Sequence, residues 1–489
     1  PVSLGRPRGR PLVRGIMASN ADLEALIAGL QTQMDTMGAD LQQQRRLDEN
    51  FESDMNAFWL IFGGVLVFWM QAGFAMLEVG TVHKKNTKNI LVKNFFDASI
   101  ASLTWWATGN ALAGGGGDEF VSTGDNGFVD TNAFLAVGST GIKGHSEASW
   151  FFAYTFAGAT ATIVSGAVAE RCSFTAYICY AVALSGFVYP PVVHMMWGTG
   201  KFSAWREVDN GDGDDQGSGR LVGDCGVIDF AGSGTVHMTG GVAALVAAAF
   251  VGPRKGRWDP GYVLPYGNPV YQALGVFILW TGWYGFNAVS TLQITGGYGA
   301  AASHVVVTTT IAAGTACLSC TAVGYLKDHI IDPSKVNNGI LAGLVSITSP
   351  CSTCNYLGAF LIGLIAGPLF VAGSALVKLM KVDDVVDAVA VHGICGMWGV
   401  FSAALFATPY FYGMSYYSGR KDDCAGLFFG GDGGSMIAAL AAIGAIFCWV
   451  GGTMSVLFGT LKVAGLLRVT EEVEDAGMDD SKHGGCIPE

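Results

Sequence analysis

Charged residues are scarce in this sequence. Only 13% of its 489 residues are Asp, Glu, Lys or Arg, whereas 51% are hydrophobic, and the mean hydropathy is +0.41. Because soluble proteins carry about 25% charged residues, the composition excludes an ordinary soluble domain and predicts an integral membrane protein. The net charge of −12 lies in short acidic loops and an acidic tail, so it does not indicate nucleic-acid binding.

The sequence also lacks the motifs of a metal centre, a redox centre or a cleavable signal peptide. Its eleven cysteines show no paired spacing with histidine, and the CxxC motif Cys351–Cys354 lacks the strand and helix context of a thioredoxin-like site. The first 55 residues are polar and contain no apolar signal core. We expect no enzyme activity, cofactor or metal, and a polar extracellular segment over 1–55, with 1–16 preceding a start at Met17.

A short heptad pattern lies within this polar segment. Its apolar positions recur at alternating spacings of four and three, which are the a and d spacings of a coiled coil. They are Leu23, Ile27, Leu30, Met34, Met37 and Leu41. About three heptads are needed to establish such a pattern, so residues 23–41 form either a short coiled coil or a lone amphipathic helix.

Long apolar runs fill the rest of the chain. A helix needs roughly 20 apolar residues to span a bilayer, and eleven stretches approach that length. They lie near 56–79, 90–115, 148–169, 174–200, 227–251, 270–290, 298–325, 338–349, 355–377, 385–409 and 435–466. The sequence therefore predicts an all-α integral membrane protein with eleven transmembrane helices, a membrane domain over 56–467 and a tail over 468–489.

Lysine and arginine are concentrated in alternate loops. The loop after the first span, with the start of the second span, contains Lys84, Lys85, Lys88 and Lys93. Cytoplasmic loops carry the excess of these residues, so we expect the amino terminus outside. An odd number of helices then places the carboxyl terminus in the cytoplasm.

The fifth and tenth spans share a pattern around one histidine each. DFAGSGTVHMTGGVAAL and DAVAVHGICGMWGVFSAAL both have an aspartate before the histidine and a glycine, Gly241 or Gly396, four residues after it. Equivalent helices in two halves of five spans run in opposite directions. The pattern therefore predicts inverted five-helix repeats, with a substrate site near the bilayer midplane between them.

The two histidines, His237 and His392, are the central candidates. Since a charge at mid-membrane costs at least about 2.5 kcal/mol, ionisable residues there face a cavity or a partner. A neutral imidazole offers one donor and one acceptor, so two rings can share a proton. The alternatives are two satisfied core histidines or bis-histidine haem ligation, and the glycine-rich flanks argue against a macrocycle.

Acidic and aromatic residues near the span ends suggest a cation site. Asp229 opens its span, where a carboxylate both caps a helix and stabilises a nearby cation; Asp387 either does similar work from the cytoplasmic side or is a helix-start acid. Trp197 offers an indole face to a cation or belongs to an interfacial belt, and Ser290 offers a hydroxyl. Phe152 and Phe156 lie one helical turn apart. They either form an apolar gate or simply pack within the helix bundle.

Several blocks of the sequence resemble those of a known family. DFAGSGTVHMTGGVAALVAAAFVGPR (residues 229–254) is similar to the signature of the ammonium transporter/methylammonium permease/Rhesus family. AGFAMLEVG, AERCSF, GFVYPPVVHMMW, WTGWYGFNAVS and VHGICGMWG resemble its other blocks in order, from about residue 56 to 483, and the tail is similar to the plant-type high-affinity branch. The resemblance implies a multi-pass plasma-membrane homotrimer, with one pore per subunit, that moves ammonium and methylammonium across the lipid bilayer.

The resemblance also implies residue roles along the pore. Trp197 and Ser290 would form the outer recruiting site, with Asp229 as the essential acid. Phe156 and Phe286 would form the gate, and Phe152 would line the vestibule. The pore would be lined by Trp283, His237 and His392. This sequence departs from the plant-type pattern in two ways. It carries an acidic GDGDD insert, and it has no cysteine before Cys172.

The acidic tail suggests regulation. Ser481 stands where the plant-type tail has a threonine, and phosphorylation by a kinase would add roughly −1.5 to −2 charges there. In the resembling branch, tail phosphorylation closes all subunits together. The alternatives are an unmodified disordered tail and, for the whole protein, an ammonium sensor or transceptor that signals through its tail.

Overall fold

The computed structural model describes residues 20–114, 145–198, 200–205, 221–262, 267–416 and 418–485. The chain divides into two compact units, 1–53 and 54–489. Residues 1–16 and the acidic GDGDD insert, 211–215, lie outside the described ranges.

In the first unit, the described residues belong to one helix, which begins at Asn20. All six apolar heptad positions are exposed, with exposed fractions from 49% for Ile27 to 71% for Met34. The predicted helix is therefore present, and none of the described residues of this unit covers its apolar face. Whether this face forms a coiled coil remains a prediction.

The second unit is built from helices packed around a continuous apolar core. The helices are α1 (Asn20–Thr81), α2 (Thr87–Thr104), α3 (Asn110–Ala113), α4 (His145–Ala167), α5 (Phe174–Ala183), α6 (Tyr189–Trp197), α7 (Thr239–Val251), α8 (Pro269–Ala288), α9 (Tyr298–Asp328), α10 (Pro333–Ile347), α11 (Tyr356–Leu379), α12 (Cys395–Phe406), α13 (Pro409–Ser415), α14 (Gly434–Val463), α15 (Glu471–Ala476) and α16 (Met478–His483). Over the described ranges there is no β-sheet, only isolated bridges such as Cys172 with Arg468. The predicted all-α class is confirmed for these residues.

Within the described ranges, seven helical stretches are long and apolar enough to cross a membrane. They are Asn20–Thr81, Phe174–Trp197, Ser233–Val251, Tyr298–Asp328, Tyr356–Leu379, Val389–Phe406 and Gly434–Val463. The other four predicted spans also fall on helices, in α2 with α3, in α4, in α8 and in α10. The shortest of these, α10, has 15 residues and corresponds to the short eighth apolar stretch.

Two glycines allow the histidine-bearing segments to approach closely. A Cβ atom on Gly241 would overlap the backbone of Gly393, and one on Gly396 would lie 2.6 Å from the Ser233 carbonyl oxygen. Both contacts join the fifth and tenth predicted spans. The glycine four residues after each histidine is thus required by backbone packing.

A disulfide between Cys225 and Cys424 joins the segments that precede the Ser233–Val251 and Gly434–Val463 helical stretches. The CxxC cysteines, Cys351 and Cys354, are free and buried.

Candidate functional site

Two histidine side chains face one another in the core of the second unit. Nδ1 of His392 lies 3.2 Å from Nδ1 of His237, and the ring centroids are 5.2 Å apart. Both rings are buried. A hydrogen bond between the two Nδ1 atoms requires one ring to donate and the other to accept, so only one of them carries a proton there. This direct contact leaves no space for a haem between the rings.

Each histidine lies in a π-helical turn at the start of its helix. Ser233–Met238 carries His237 ahead of α7, and Val389–Ile394 carries His392 ahead of α12. Such single wide turns are frequent at functional sites. The two segments therefore present their histidines from equivalent places in the fold.

A file of aromatic rings extends from the histidines. Phe286 stacks on His237 with centroids 5.3 Å apart, and Phe156 stacks on Phe286 at 4.1 Å. Trp197 and Phe152 contact Phe156 edge-to-face at 6.0 and 4.8 Å. The structure thus joins Trp197, the two gate phenylalanines and His237 in one row.

Trp283 supports this row from the side. Its ring stacks on His237 at 5.0 Å, and its Nε1 donates to Thr348 Oγ1 at 2.8 Å. The residue is fully buried. Trp283 therefore fixes one face of the His237 ring.

Asp229 connects the Trp197 end of the file to the turn of His237. Its Oδ2 accepts hydrogen bonds from Gly234 N at 3.2 Å and from both Thr235 N and Thr235 Oγ1 at 2.8 Å. Its carbonyl oxygen accepts from Trp197 Nε1 at 2.6 Å. The carboxylate is buried, and no protein group of the described chain binds Oδ1. Asp229 caps the turn and still offers an oxygen to a cation.

Ser290 lies at the end of the α8 segment. Its hydroxyl donates to the Phe286 carbonyl at 2.8 Å, and the residue is 6% exposed. Only the lone pairs of its oxygen are left to contact a cation.

A second acid, Asp384, holds the place on the His392 turn that Asp229 holds on the His237 turn, and the role expected for Asp387 stays a prediction. Asp384 Oδ2 accepts from Val389 N at 2.7 Å, as Asp229 accepts from Gly234 N, and each of these acids precedes its histidine by eight residues. Asp387 instead accepts from Ser374 Oγ at 2.6 Å.

Asp384 and Asp387 also differ in their electrostatic surroundings. Burial, together with the neighbouring charge of Asp387, raises the pKa of Asp384 to about 7. Asp387 has a positive φ of 59° and lies 3.8 Å from the Lys378 ammonium group. The eight-residue spacing was visible in the sequence, but the adjacent acids in KVDDVVD obscured which of them had it.

Two cavities lie at the His392 end of the file. The smaller, of about 10 Å³, is lined in part by His392, Phe74 and Thr162. The larger, of about 350 Å³, shares lining residues with it and extends to Lys378 and Asp387. Leu77, Asn338 and Val386 line both cavities.

The sequence profile of the Ammonium Transporter Family matches residues 57–486. The chain belongs to this family. Ammonium transporter Amt2 of Archaeoglobus fulgidus is 36% identical, with 92% of this chain and 91% of the relative covered. Ammonium transporter 1 member 1 of Oryza sativa subsp. japonica is 39% identical, with 88% and 85% covered.

Solved structures of the family have the same fold. The structure entitled Sensor Amt Protein superimposes with a TM-score of 0.74 at 30% identity, covering 89% of this chain and 99% of that one. Saccharomyces cerevisiae Mep2 gives 0.70 at 22% identity, covering 86% and 89%. Membership of the family supports ammonium transport by a membrane protein.

The tail of this family member is folded onto the second unit. Asp479 is fully buried, and its carboxylate accepts from the backbone N–H groups of Lys88 and Asn89 at 2.9 and 2.8 Å, at the start of α2. Lys85 Nζ donates to the Glu474 carbonyl at 2.8 Å. The alternative of a disordered tail is wrong for residues 468–485.

Ser481 lies in this docked region. It is exposed, and its hydroxyl donates to the Gly477 carbonyl at 2.9 Å within α16. The hydroxyl is therefore close to the buried Asp479 while still facing solvent.

Proposed function

We propose that the chain is one subunit of a homotrimeric plasma-membrane transporter that takes up ammonium and methylammonium. Eleven transmembrane helices form two inverted five-helix repeats, with the amino terminus outside and the carboxyl terminus in the cytoplasm. Residues 1–55 are extracellular, 56–467 form the pore and 468–489 form a regulatory tail. The matching caps of Asp229 and Asp384 on the two histidine turns support the repeat.

The cation is recruited at the outer end of the aromatic file. Trp197 supplies a ring face, worth about 0.5–2 kcal/mol to a cation. Ser290 supplies an oxygen acceptor, and the Asp229 carboxylate supplies a fixed negative charge. These groups replace part of the hydration that ammonium loses.

Ammonium gives up a proton before it passes the gate. Phe156 and Phe286 close the path, and moving a bare cation through such apolar surroundings is far more costly than moving a neutral molecule. Neutral ammonia then passes His237 and His392, which offer hydrogen-bonding nitrogens. Potassium has no proton to lose, so it is excluded. A water molecule at the outer site accepts the released proton and passes it to His237, and the histidine pair relays a proton to the cytoplasmic side, which makes transport electrogenic.

The continuous file Phe156–Phe286–His237–His392 is the observation that carries this proposal. Consecutive ring centroids lie 4.1, 5.3 and 5.2 Å apart. At these distances each ring contacts the next, so a hydrated ion has no room along the file unless the rings move. A small neutral molecule with hydrogen-bonding capacity needs a smaller displacement of the rings than a hydrated ion.

To test the proposal, charge transfer and substrate uptake are measured with the purified protein in liposomes. Ammonium, methylammonium and potassium are added in separate experiments. The wild-type protein is expected to respond to the first two and not to potassium. A variant with both His237→Ala and His392→Ala is expected to lose uptake or to admit potassium. Unchanged methylammonium uptake with intact potassium exclusion in that variant would refute the mechanism.

The sensor alternative is not favoured. One solved structure with 30% identity is entitled a sensor, whereas the curated relatives described above are named ammonium transporters. A sensor would bind ammonium without sustained flux, so the same liposome measurement separates the two functions.

A further inference from the structure

A buried group of ionisable side chains lies beside the pore and takes no part in the steps above. Glu78 of α1 is 2% exposed, and Lys93 and Asp97 of α2 are 1% and 0% exposed. Ionisable side chains at membrane depth are costly, and they commonly belong to proton or ion pathways.

Glu78 borders the cavity at the end of the histidine pair. The lining of the 10 Å³ cavity includes His392, Glu78 and Thr162, and a volume of about 10–15 Å³ is what one water molecule needs. Leu77 and Asn338 line this cavity and also the 350 Å³ cavity. A proton leaving His392 therefore has Glu78 beside its path to the larger cavity.

The hydrogen bonds of Glu78 suit both protonation states. Ser165 Oγ contacts Glu78 Oε1 and also lies 2.7 Å from the Thr162 carbonyl. One hydroxyl proton serves one of these acceptors fully. When the hydroxyl donates to Thr162, a protonated Glu78 donates to Ser165; when Glu78 is ionised, the hydroxyl turns to it. Asn94 Nδ2 donates to Glu78 Oε2 at 2.6 Å in either case.

The charges of the group also require a proton. Two acids and one base leave a net negative charge when all are ionised, and an uncompensated buried charge costs several kcal/mol. Lys93 Nζ donates to the Cys172 carbonyl at 3.0 Å, and the Tyr177 hydroxyl donates to Asp97 at 2.5 Å. Of the two acids, Glu78 lines the cavity and Asp97 does not.

We infer that Glu78 is a proton-binding site on the cytoplasmic side of the pore. The proton released from the histidine pair passes from His392 through one water molecule to the Glu78 carboxylate. It leaves Glu78 for water in the larger cavity, which restores the carboxylate. This inference rests on the proposed electrogenic transport, and it adds the acid that takes up the proton.

The test compares Glu78→Gln with Glu78→Asp in liposomes. Glutamine keeps the size and can keep the hydrogen bonds, but its amide does not ionise. We expect ammonium-evoked charge transfer to fall by about tenfold or more, since proton-transfer groups contribute such factors, and its dependence on pH between about 5 and 8 to change. Glu78→Asp is expected to keep proton-coupled current and a pH profile like that of the wild type.

Asp259→Asn is the matched control, because it makes the same acid-to-amide change at an exposed residue that lines neither cavity. Its current is expected to stay within about twofold of the wild type. Wild-type current and pH profile in Glu78→Gln would overturn the inference. Equal loss of folded protein and current in Glu78→Gln and Glu78→Asp would also overturn it, by showing a structural role. Absence of ammonium transport in the wild type would instead refute the proposed function.

Discussion

At the scale of single residues, the histidine pair works as a unit. The Nδ1 atoms lie 3.2 Å apart, so protonation of one ring at this atom excludes the other ring from donating there. The proposed mechanism therefore predicts that a proton taken up by one Nε2 shifts the shared proton and favours release of a proton from the other Nε2. Phe286, Trp283 and Phe74 contact the rings at 5.3, 5.0 and 6.2 Å, which limits how far they can turn.

Asp384 gives a pH-dependent prediction for stability. Its pKa in the folded protein is raised by burial to about 7 from 3.8. Between these values the folded state binds more protons than the unfolded state, so stability falls as pH rises through this window. In Asp384→Asn, the thermal unfolding midpoint in detergent is expected to decline less with pH than in the wild type.

The neighbouring variant Asp387→Asn is the control for this measurement. Asp387 pairs with Ser374 and Lys378 rather than capping the Val389 turn. The Asp387→Asn variant should keep most of the wild-type decline of the unfolding midpoint with rising pH. Equal slopes of midpoint against pH in wild type and Asp384→Asn would contradict the prediction.

At the scale of elements, the close approach of the two histidine segments depends on glycine. A Cβ atom at Gly241 would overlap the Gly393 backbone. Overpacking of this kind costs about 1–3 kcal/mol. Gly241→Ala is therefore expected to lower the unfolding midpoint and to reduce ammonium uptake by displacing His392.

Gly314→Ala in α9 is the matched control, since nothing lies within 4 Å of its added Cβ. Alanine favours a helix over glycine by up to about 1 kcal/mol, so this variant should be neutral or slightly more stable. If Gly241→Ala behaves like Gly314→Ala in both measurements, the close contact does not matter.

The helices could largely be predicted from the sequence, but their irregularities could not. Each apolar stretch predicted from the sequence falls on described helices, even the short one at the 15-residue α10, because lipid and core burial both select apolar side chains. The π-turns at Ser233–Met238 and Val389–Ile394 have no periodic signal. The Glu78 group was missed because each member, taken alone, resembles an ordinary helix-end charge until tertiary packing brings α1, α2 and α4 together.

At the scale of the whole molecule, the docked tail predicts a switch controlled by phosphorylation. Asp479 caps α2, and Ser481 lies two residues away. A phosphate would add roughly −1.5 to −2 charges beside this buried carboxylate. Ser481→Asp is expected to weaken docking and to lower ammonium uptake by about tenfold or more, because like charges beside a docked contact disrupt it.

Ser481→Ala removes only the hydrogen bond to Gly477 within α16. Its uptake should therefore match that of the wild type, which makes it the control for the charge itself. Full transport by Ser481→Asp would count against the switch.

The exposed heptad face predicts how subunits meet outside the pore. Leu30 occupies a d position and is 51% exposed, and Thr32 two residues later occupies an f position on the far side of the helix. No cysteine precedes Cys172, so a disulfide cannot join these segments in the native chain. In a trimer, a coiled coil would bring the d positions of the copies together. We therefore expect Leu30→Cys in the full-length protein to cross-link on oxidation.

Thr32→Cys should remain uncross-linked under the same oxidation, and the wild type controls for the exposed native Cys448. Copies carrying two different tags show whether a cross-linked product contains two chains of this protein. In a parallel coiled coil Asp40 lies at a g position and Arg45 at the e position of the following heptad, where opposite charges attract across the seam. Equal cross-linking at Leu30 and Thr32, or none at either, would show that 23–41 is a lone amphipathic helix.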